Sequence, residues 1–121
     1  MGKAVLVVDD STSMRQMVAF TMKEAGFDVI EGSNGQDALS RVEGRSVNLV
    51  ITDLNMPVMD GMTLIRQLRS KAEFKFTPIL MLTTESQQEK KLEGKAAGAT
   101  GWIVKSFNPE QLLQVVGKVV R

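Results

Sequence analysis

The sequence predicts an α/β fold in which helices cover both faces of a parallel sheet. Five short runs rich in Val, Ile and Leu show little alternation between apolar and polar residues, which is typical of strands buried on both faces. Longer segments between these runs place apolar residues at the spacing of amphipathic helices. Five strands alternating with five helices therefore predict a doubly wound sandwich.

Each predicted strand is a short apolar run. The runs span residues 4–8, 27–30, 47–51, 78–82 and 102–104. After the first run, an apolar stripe at helical spacing predicts a helix, and Gly26 is placed to end it. The stripe consists of Met14, Met17, Val18, Thr21, Met22 and Ala25.

The later helices are predicted from their stripes and caps. One stripe is Met62, Ile65 and Leu68, and the last is Leu112, Leu113, Val116, Val119 and Val120. Asn108 followed by Pro109 is typical of an N-cap and a first helical residue. Residues 86–97 differ, because only Leu92 and small alanines offer an apolar face and Gly94 weakens the helix interior. We interpret them as a solvent-exposed surface helix.

Composition excludes several classes of protein. The chain has 121 residues, of which 43% are hydrophobic and 24% charged, so we expect one folded domain over residues 1–121. A net charge of +1 gives no electrostatic case for nucleic acid or an anionic membrane as the main partner. The absence of cysteine excludes thiolate chemistry and fits a cytoplasmic protein. Five apolar residues before the first aspartate are too few for a signal peptide or a membrane span.

Polar residues stand where four of the predicted strands end. Strands one, three, four and five end in turn in Asp9-Asp10, Asp53, Thr83-Thr84 and Lys105. Sites in open α/β sheets form at the carboxyl ends of the strands, where the strand order reverses. If strands one and three are neighbours, three carboxylates converge there, with a lysine and a hydroxyl group beside them.

Three close carboxylates repel one another unless a cation joins them. Mg²⁺ suits such a place, because it binds carboxylate, carbonyl and water oxygens and leaves room for a phosphate oxygen. A phosphoryl group bound there would contact the metal, Lys105 and the Thr83 hydroxyl, and a carboxylate could accept it covalently. Each residue alone has an ordinary explanation as a turn, cap or strand residue. Their order at successive strand ends favours the phosphoryl site.

The chain resembles the receiver domains of two-component response regulators, in particular those of the stand-alone chemotaxis type, CheY. The resemblance covers essentially the whole chain and rests on VLVVDDS, DLNMPVMDGM, PILMLTTE and GATGWIVK, which occur in the family's order and spacing. It implies a flavodoxin-like sheet of five parallel strands in the order 2-1-3-4-5 with five helices. It also implies a phosphorylation-activated switch that is not a turnover enzyme.

The resemblance further implies a role for each residue of the site. Asp53 would be the phosphoryl acceptor. Asp10 and Asp53 would ligate Mg²⁺ directly with the backbone carbonyl of Asn55, whereas Asp9 would act mainly through water. Thr83 would bind the phosphoryl group and swing inward on activation.

Residues around the acceptor would govern switching and lifetime. Trp102 occupies the family's aromatic switch position, and Asn55 and Glu85 match positions that tune loss of the phosphoryl group. Ser106 departs from the family, which usually has proline after the lysine, with a cis peptide bond. A cis bond before serine costs roughly 2.5–4 kcal/mol, against about 0.5–1 kcal/mol before proline. We therefore expect a trans bond between Lys105 and Ser106.

The resemblance implies protein partners in the cytoplasm. A histidine kinase of the CheA type would donate the phosphoryl group, and a phosphatase could remove it. The target would be the flagellar motor switch or another output protein, bound by a monomer at the face of helix four, strand five and helix five. The alternative is a receiver fragment of a larger regulator, or an intermediate in another phosphorelay.

Two other classes share parts of the pattern. A flavin carrier of the same fold also has a first loop rich in Ser and Thr, but Asp9 and Asp10 would repel a flavin phosphate. A phosphatase of the haloacid dehalogenase type also uses an aspartate nucleophile with Mg²⁺. It needs an acidic residue two positions after that aspartate, where this chain has Asn55, which cannot act as a general acid.

Overall fold

The fold is a parallel sheet with helices on both faces, and the computed structural model describes residues 3–84 and 89–120. Its strands are β1 (Ala4–Val8), β2 (Asp28–Gly32), β3 (Leu49–Asp53), β4 (Ile79–Thr83) and β5 (Gly101–Val104). Its helices are α1 (Thr12–Glu24), α2 (Gly35–Val42), α3 (Gly61–Arg69), α4 (Lys90–Ala97) and α5 (Pro109–Val119). All strand pairs are parallel in the order β2-β1-β3-β4-β5, which confirms the predicted fold.

Most strands reach further toward their carboxyl ends than the apolar runs predicted. Asp53 pairs with Leu82 of β4, and Thr83 pairs with Val104 of β5, so both polar residues lie inside strands. Backbone pairing does not depend on side-chain polarity, and it continues as long as the neighbouring strand continues. The sheet therefore holds Asp53 and Thr83 more rigidly than loops would.

Two apolar layers fill the space between the sheet and the helices. Because successive strand residues point to opposite faces, Val5, Val7 and Leu49 pack toward α1 and α5. Leu6 and Val50, which alternate with them, pack toward α2 and α3. Both layers are almost completely shielded from water, as the Val, Ile and Leu runs predicted.

The helix ends follow the predicted caps. Gly26 has a φ of +97° immediately after Ala25, the C-cap residue of α1, and glycine adopts this conformation at little cost. Asn108 accepts a hydrogen bond from the Gln111 N–H at 2.9 Å, while the Gln111 side chain accepts one from the Asn108 N–H. Pro109 is the first residue of α5. Leu113, however, is exposed, because it lies off the face that carries the buried Leu112.

The apolar face predicted for the fourth helix was only partly right, because Ala97 packs against the core but Leu92 does not. Leu92 is 80% exposed, and the buried residue of α4 is Gly94. A Cβ atom at position 94 would overlap the Met81 side chain, so glycine lets the helix lie close to β4. Residues 86–88 of the predicted helix lie outside the described residues. None of the described helices is long and apolar enough to cross a membrane.

Candidate functional site

Three aspartates meet at the carboxyl edge of the sheet, as their positions after neighbouring strands predicted. Asp9 and Asp10 follow β1, and Asp53 ends β3, which pairs with β1. One carboxylate oxygen of each aspartate lies within 4.8 Å of the others. Asp9 and Asp53 are buried, whereas Asp10 is exposed. The cluster is therefore open to solvent on one side.

The buried Asp9 carboxylate lacks a complete set of partners. Its Oδ1 accepts a hydrogen bond from the Ser11 N–H at 2.9 Å. Its Oδ2 has no hydrogen-bond partner within the described part of the chain, although the Lys105 Nζ lies 3.5 Å away. A buried carboxylate oxygen without a donor is costly. A hard divalent cation bound by the three aspartates would remove that cost, so these residues fit a metal site.

Asp53 is held from two sides through one oxygen. Its Oδ1 accepts a hydrogen bond from the Leu54 N–H at 2.8 Å and lies 2.9 Å from the Lys105 Nζ. Burial raises the pKa of Asp53 to about 6, and the nearby Asp9 charge adds to this, while Lys105 opposes it. Without a metal, this carboxylate is therefore ionised less readily than an ordinary aspartate.

Lys105 reaches both buried carboxylates from the end of β5. Its backbone N–H donates to the Thr83 carbonyl oxygen at 2.6 Å, which extends the pairing of β5 with β4. Burial would lower the pKa of Lys105, but its hydrogen bond to Asp53 and the charges of Asp53 and Asp9 outweigh burial and raise it. The side chain is thus a permanent ammonium ion at neutral pH.

The peptide bond after Lys105 is trans, which confirms the expectation from Ser106. No cis peptide bond occurs among residues 3–84 and 89–120. Ser106 is exposed. The trans bond does not prevent contact, because the long Lys105 side chain still spans the distance to Asp53.

The remaining predicted residues surround the cluster at different depths. Thr83 is fully buried, and among the described residues its hydroxyl makes only a long contact of 3.5 Å with the Ile103 carbonyl oxygen. Asn55 is exposed in the connection from β3 to α3. Trp102 is 40% exposed on β5, and the Lys91 Nζ lies 4.9 Å from the centre of its ring. Glu85 lies outside the described residues.

Arg15 contacts the site but was not predicted. Its Nη1 donates to the backbone carbonyl of Asp9 at 2.7 Å, and its Nε donates to Glu31 at 3.2 Å. Arg15 is on α1 and Glu31 is on β2, sixteen residues later. Sequence spacing gives no signal for this pair, because it forms only when the sheet brings β2 beside β1.

Comparison with known proteins gives the family of this fold and site. Residues 5–117 match the response regulator receiver domain. The chain belongs to the response regulator receiver domain family. Chemotaxis protein CheY1 of Helicobacter pylori is 38% identical over 110 residues, which cover 89% of each chain. Chemotaxis protein CheY-3 of Vibrio cholerae is 35% identical over 116 residues, which cover 95% of this chain and 89% of that protein.

Solved structures agree with this receiver assignment. The chemotaxis response regulator CheY4 of Vibrio cholerae has 49% sequence identity and a TM-score of 0.93, covering 99% of this receiver domain and 100% of that chain. A response regulator from Chloroflexus aurantiacus has 30% identity and a TM-score of 0.92, covering 98% of each chain. This receiver domain is therefore of the CheY chemotaxis type, which favours a signalling protein over the flavin carrier and the phosphatase.

Proposed function

We propose that this receiver domain is a phospho-acceptor switch, in which a histidine kinase of the CheA type transfers a phosphoryl group to Asp53. One observation carries the proposal. The buried Asp53 carboxylate is paired with the Lys105 ammonium group at 2.9 Å and lies in one cluster with the Asp9 and Asp10 carboxylates. That arrangement combines a nucleophile, a fixed positive charge and a cation-binding edge.

The contacts of Asp53 suggest which of its oxygens reacts. Within the described residues, both the Leu54 N–H and the Lys105 Nζ contact Oδ1. We assign Oδ2 to the attack on phosphorus. The bond from Oδ2 to phosphorus forms as the bond from phosphorus to the imidazole nitrogen of the kinase phosphohistidine breaks, and the imidazole leaves. Lys105 then pairs with a phosphoryl oxygen.

The acidic edge suits Mg²⁺. Asp10, Asp53 and the backbone carbonyl of Asn55 would hold it directly, and Asp9 would act mainly through water. When bound, Mg²⁺ neutralises the carboxylates and the incoming phosphoryl oxygens, which otherwise repel one another. The buried Oδ2 of Asp9, which accepts no hydrogen bond from any described residue, supports a cation there.

Thr83 and Trp102 would carry the change to the surface. Within the part of the chain that the structure describes, the Thr83 hydroxyl has only the long contact to Ile103, which supports a turn toward a phosphoryl oxygen at small cost. This movement would draw α4 and Trp102 inward and shift an existing equilibrium between two conformations. Asn55 and Glu85 would set how long the phosphoryl group persists, with or without a phosphatase.

The output face would be formed by α4, β5 and α5 of a cytoplasmic monomer. Leu92 and Trp102 are exposed there beside several lysines, as a surface that binds another protein would require. The flagellar motor switch is the target we propose for a chemotaxis receiver, since the relatives of this chain are chemotaxis proteins.

Incubation with Mg²⁺ and a small phosphodonor tests the acceptor. We expect an acid-stable, base-labile phosphate on Asp53, absent from Asp53→Asn and present in the control Asp28→Asn, whose exposed side chain lies on β2. Both variants should give the same circular dichroism spectrum as the parent. Undiminished phosphorylation of Asp53→Asn would reject Asp53 as the acceptor.

Substitution of the α4 lysines tests the output face. Alanine at Lys90, Lys91 or Lys95 should weaken binding of the phosphorylated protein to a motor-switch peptide without slowing phosphorylation. Alanine at Lys23, on α1, is the control and should leave both unchanged. Slower phosphorylation with unchanged peptide binding would mean that α4 faces the kinase instead.

A further inference from the structure

Arg15 stands between the acidic cluster and the edge strand. Its side chain is only 17% exposed, unlike the 58% of Arg41 in the nearby Arg41–Asp37 pair. The guanidinium group donates to two acceptors, the Asp9 carbonyl oxygen through Nη1 and the Glu31 carboxylate through Nε. A planar fork held at two points has a fixed orientation.

The contact with the Asp9 carbonyl constrains Asp10 as well. The carbonyl of Asp9 and the N–H of Asp10 belong to one planar peptide unit. When Arg15 fixes that carbonyl at 2.7 Å, it also fixes the direction in which the Asp10 backbone leaves β1. Asp10 is the exposed aspartate of the cluster, so packing against the core does not hold its side chain.

The side chain of Asp9 is fixed separately. Its Oδ1 accepts from the Ser11 N–H at 2.9 Å, a local turn that leaves Oδ2 toward Lys105. Glu31 completes the arrangement from β2, where it pairs in register with Val7, two residues before Asp9. In the connection from β1 to α1, Asp9 is thus held both by a contact to its backbone carbonyl and by a contact to its side chain.

From this geometry we infer that Arg15, oriented by Glu31, is a positioning residue for divalent cation binding by Asp9, Asp10 and Asp53. The inference rests on the proposed metal site and adds the residues that set its affinity. Arg15 would not ligate the metal, because its guanidinium group donates to the Asp9 carbonyl oxygen and to Glu31. It acts through the peptide between Asp9 and Asp10, and it should affect cation affinity more than folding.

The test is Mg²⁺ affinity in the charge-conserving variant Arg15→Lys. Lysine keeps the positive charge but presents one compact donor group, which cannot contact Glu31 and the Asp9 carbonyl in the same fork. A Mg²⁺ titration followed by backbone amide shifts of residues 9–11 and 53 should give a dissociation constant about tenfold higher than that of the parent. Arg41→Lys is the matched control, and we expect no change in its affinity.

Unfolding in urea without Mg²⁺ separates positioning from simple stabilisation. If Arg15→Lys lowers the urea midpoint but binds Mg²⁺ as tightly as the parent, Arg15 is only structural and the inference is overturned. Equal affinity together with an unchanged midpoint overturns it too. A tenfold loss of affinity with a midpoint close to that of Arg41→Lys supports it.

Glu31 provides a second pair of variants that does not alter Arg15. Glu31→Gln retains an oxygen that can accept from the Arg15 Nε, so affinity should stay within about twofold, whereas Glu31→Leu removes the acceptor and should weaken binding. The double variant Arg15→Lys with Glu31→Leu should bind no more weakly than Arg15→Lys alone, because both changes break one contact. Additive losses would contradict action through a shared contact.

The parent protein distinguishes failure of this inference from failure of the proposed function. If Mg²⁺ shifts no amide near Asp9, Asp10 and Asp53, the metal part of the proposed function fails, and the role of Arg15 fails with it. If the parent binds Mg²⁺, Asp53→Asn weakens that binding, and Arg15→Lys does not, only the role of Arg15 is overturned.

Discussion

The helices α3 and α4 are similar in length, with nine and eight residues, but they are anchored very differently. Five residues of α3 are buried, and the Asp60 side chain caps its first turn by accepting from the Thr63 N–H at 2.8 Å. In α4 the buried residue is Gly94, and Glu89 makes no side-chain cap hydrogen bond. The contrast teaches that a helix can be placed mainly by the close approach of a glycine, with few buried side chains to anchor it.

The two helices would have different roles in the proposed switch. The first residue of α3, Gly61, is tied to the end of β3, because its N–H donates to the Leu54 carbonyl oxygen at 2.9 Å. A firmly anchored α3 keeps the β3–α3 connection in place around Asn55. By contrast, α4 forms part of the proposed output face, and because few of its side chains are buried, phosphorylation could alter its position at small cost in free energy.

Truncation of one leucine on each helix should produce the largest contrast. Leu64 on α3 is fully buried, so Leu64→Ala should lower the free energy of unfolding by about 2–5 kcal/mol. Leu92 on α4 is 80% exposed, so Leu92→Ala should change it by less than about 0.5 kcal/mol. Urea unfolding monitored by circular dichroism measures both. Equal losses would show that α4 is buried as deeply as α3.

Alanine at a helical glycine gives the next largest effect, with opposite signs at two positions. Gly94→Ala would place a methyl group against the buried Met81 side chain and should destabilise the protein by about 1–3 kcal/mol. Gly117→Ala in α5 meets no atom within 4 Å and should stabilise it by about 0.5–1 kcal/mol. Thermal unfolding distinguishes the two. Stabilisation by Gly94→Ala would mean that α4 does not depend on close contact with β4.

The ionised Asp53 carboxylate at the end of β3 lowers the free energy of unfolding. Since the folded-state pKa of Asp53 is raised from 3.8 to about 6, its contribution to stability is fully present below about pH 4 and is lost as pH rises through 6. Without Mg²⁺, Asp53→Asn should therefore stabilise the protein at pH 7 by about 1–2 kcal/mol, a range that allows for solvent screening at the open edge of the cluster. At pH 4 the same substitution should have little effect, because Asp53 is then protonated in the folded protein.

Asp37 supplies a control of opposite sign for that pH series. Hydrogen bonds from the Ser33 backbone and the Arg41 side chain lower the pKa of Asp37, so its contribution is present at neutral pH and is lost on acidification. Asp37→Asn should destabilise the protein at pH 7 and lose that effect in acid. Urea midpoints from pH 4 to pH 8 test both variants. If the change in urea midpoint caused by each substitution varied with pH in the same direction for both variants, the raised pKa of Asp53 would be contradicted.

The helix caps should give the smallest difference. Asp60→Ala removes the α3 cap and should cost about 1 kcal/mol. Glu89→Ala removes no cap hydrogen bond and should change the free energy of unfolding by a few tenths of that amount. Amide hydrogen exchange adds a local measure, because Asp60→Ala should speed exchange in the first turn of α3. If Glu89→Ala lowered the free energy of unfolding as much as Asp60→Ala, α3 and α4 would not differ in how their first turns are capped.

The sequence supported prediction of the acidic cluster, because each of its members lies within two residues of the end of an apolar run. Asp9 and Asp53 could be located from those runs, and the parallel sheet then brings them to one edge. The trans bond after Lys105 could also be predicted, since it follows from the local chemistry of serine.

Other features could not be predicted because they depend on which elements become neighbours. Leu92 belongs to a helix whose inward face is chosen by contact with β4, and Gly94 fits that contact more closely than leucine could. The pairing of Arg15 with Glu31 requires β2 to lie beside β1. Neither feature has a period or a local motif from which it could be recognised.

The sequence by itself determined the alternation of strands and helices, the caps of α1 and α5, and the polar residues at the strand ends. These are local properties, set by side-chain spacing and backbone preference within a few residues. The tertiary structure alone decided that Asp9 Oδ2 is buried with no hydrogen-bond donor in residues 3–84 and 89–120, that the pKa of Asp53 rises, and that Gly94 lets α4 lie close to β4. Burial and electrostatic interaction are sums over atoms from distant parts of the chain, so they exist only once the sheet has assembled.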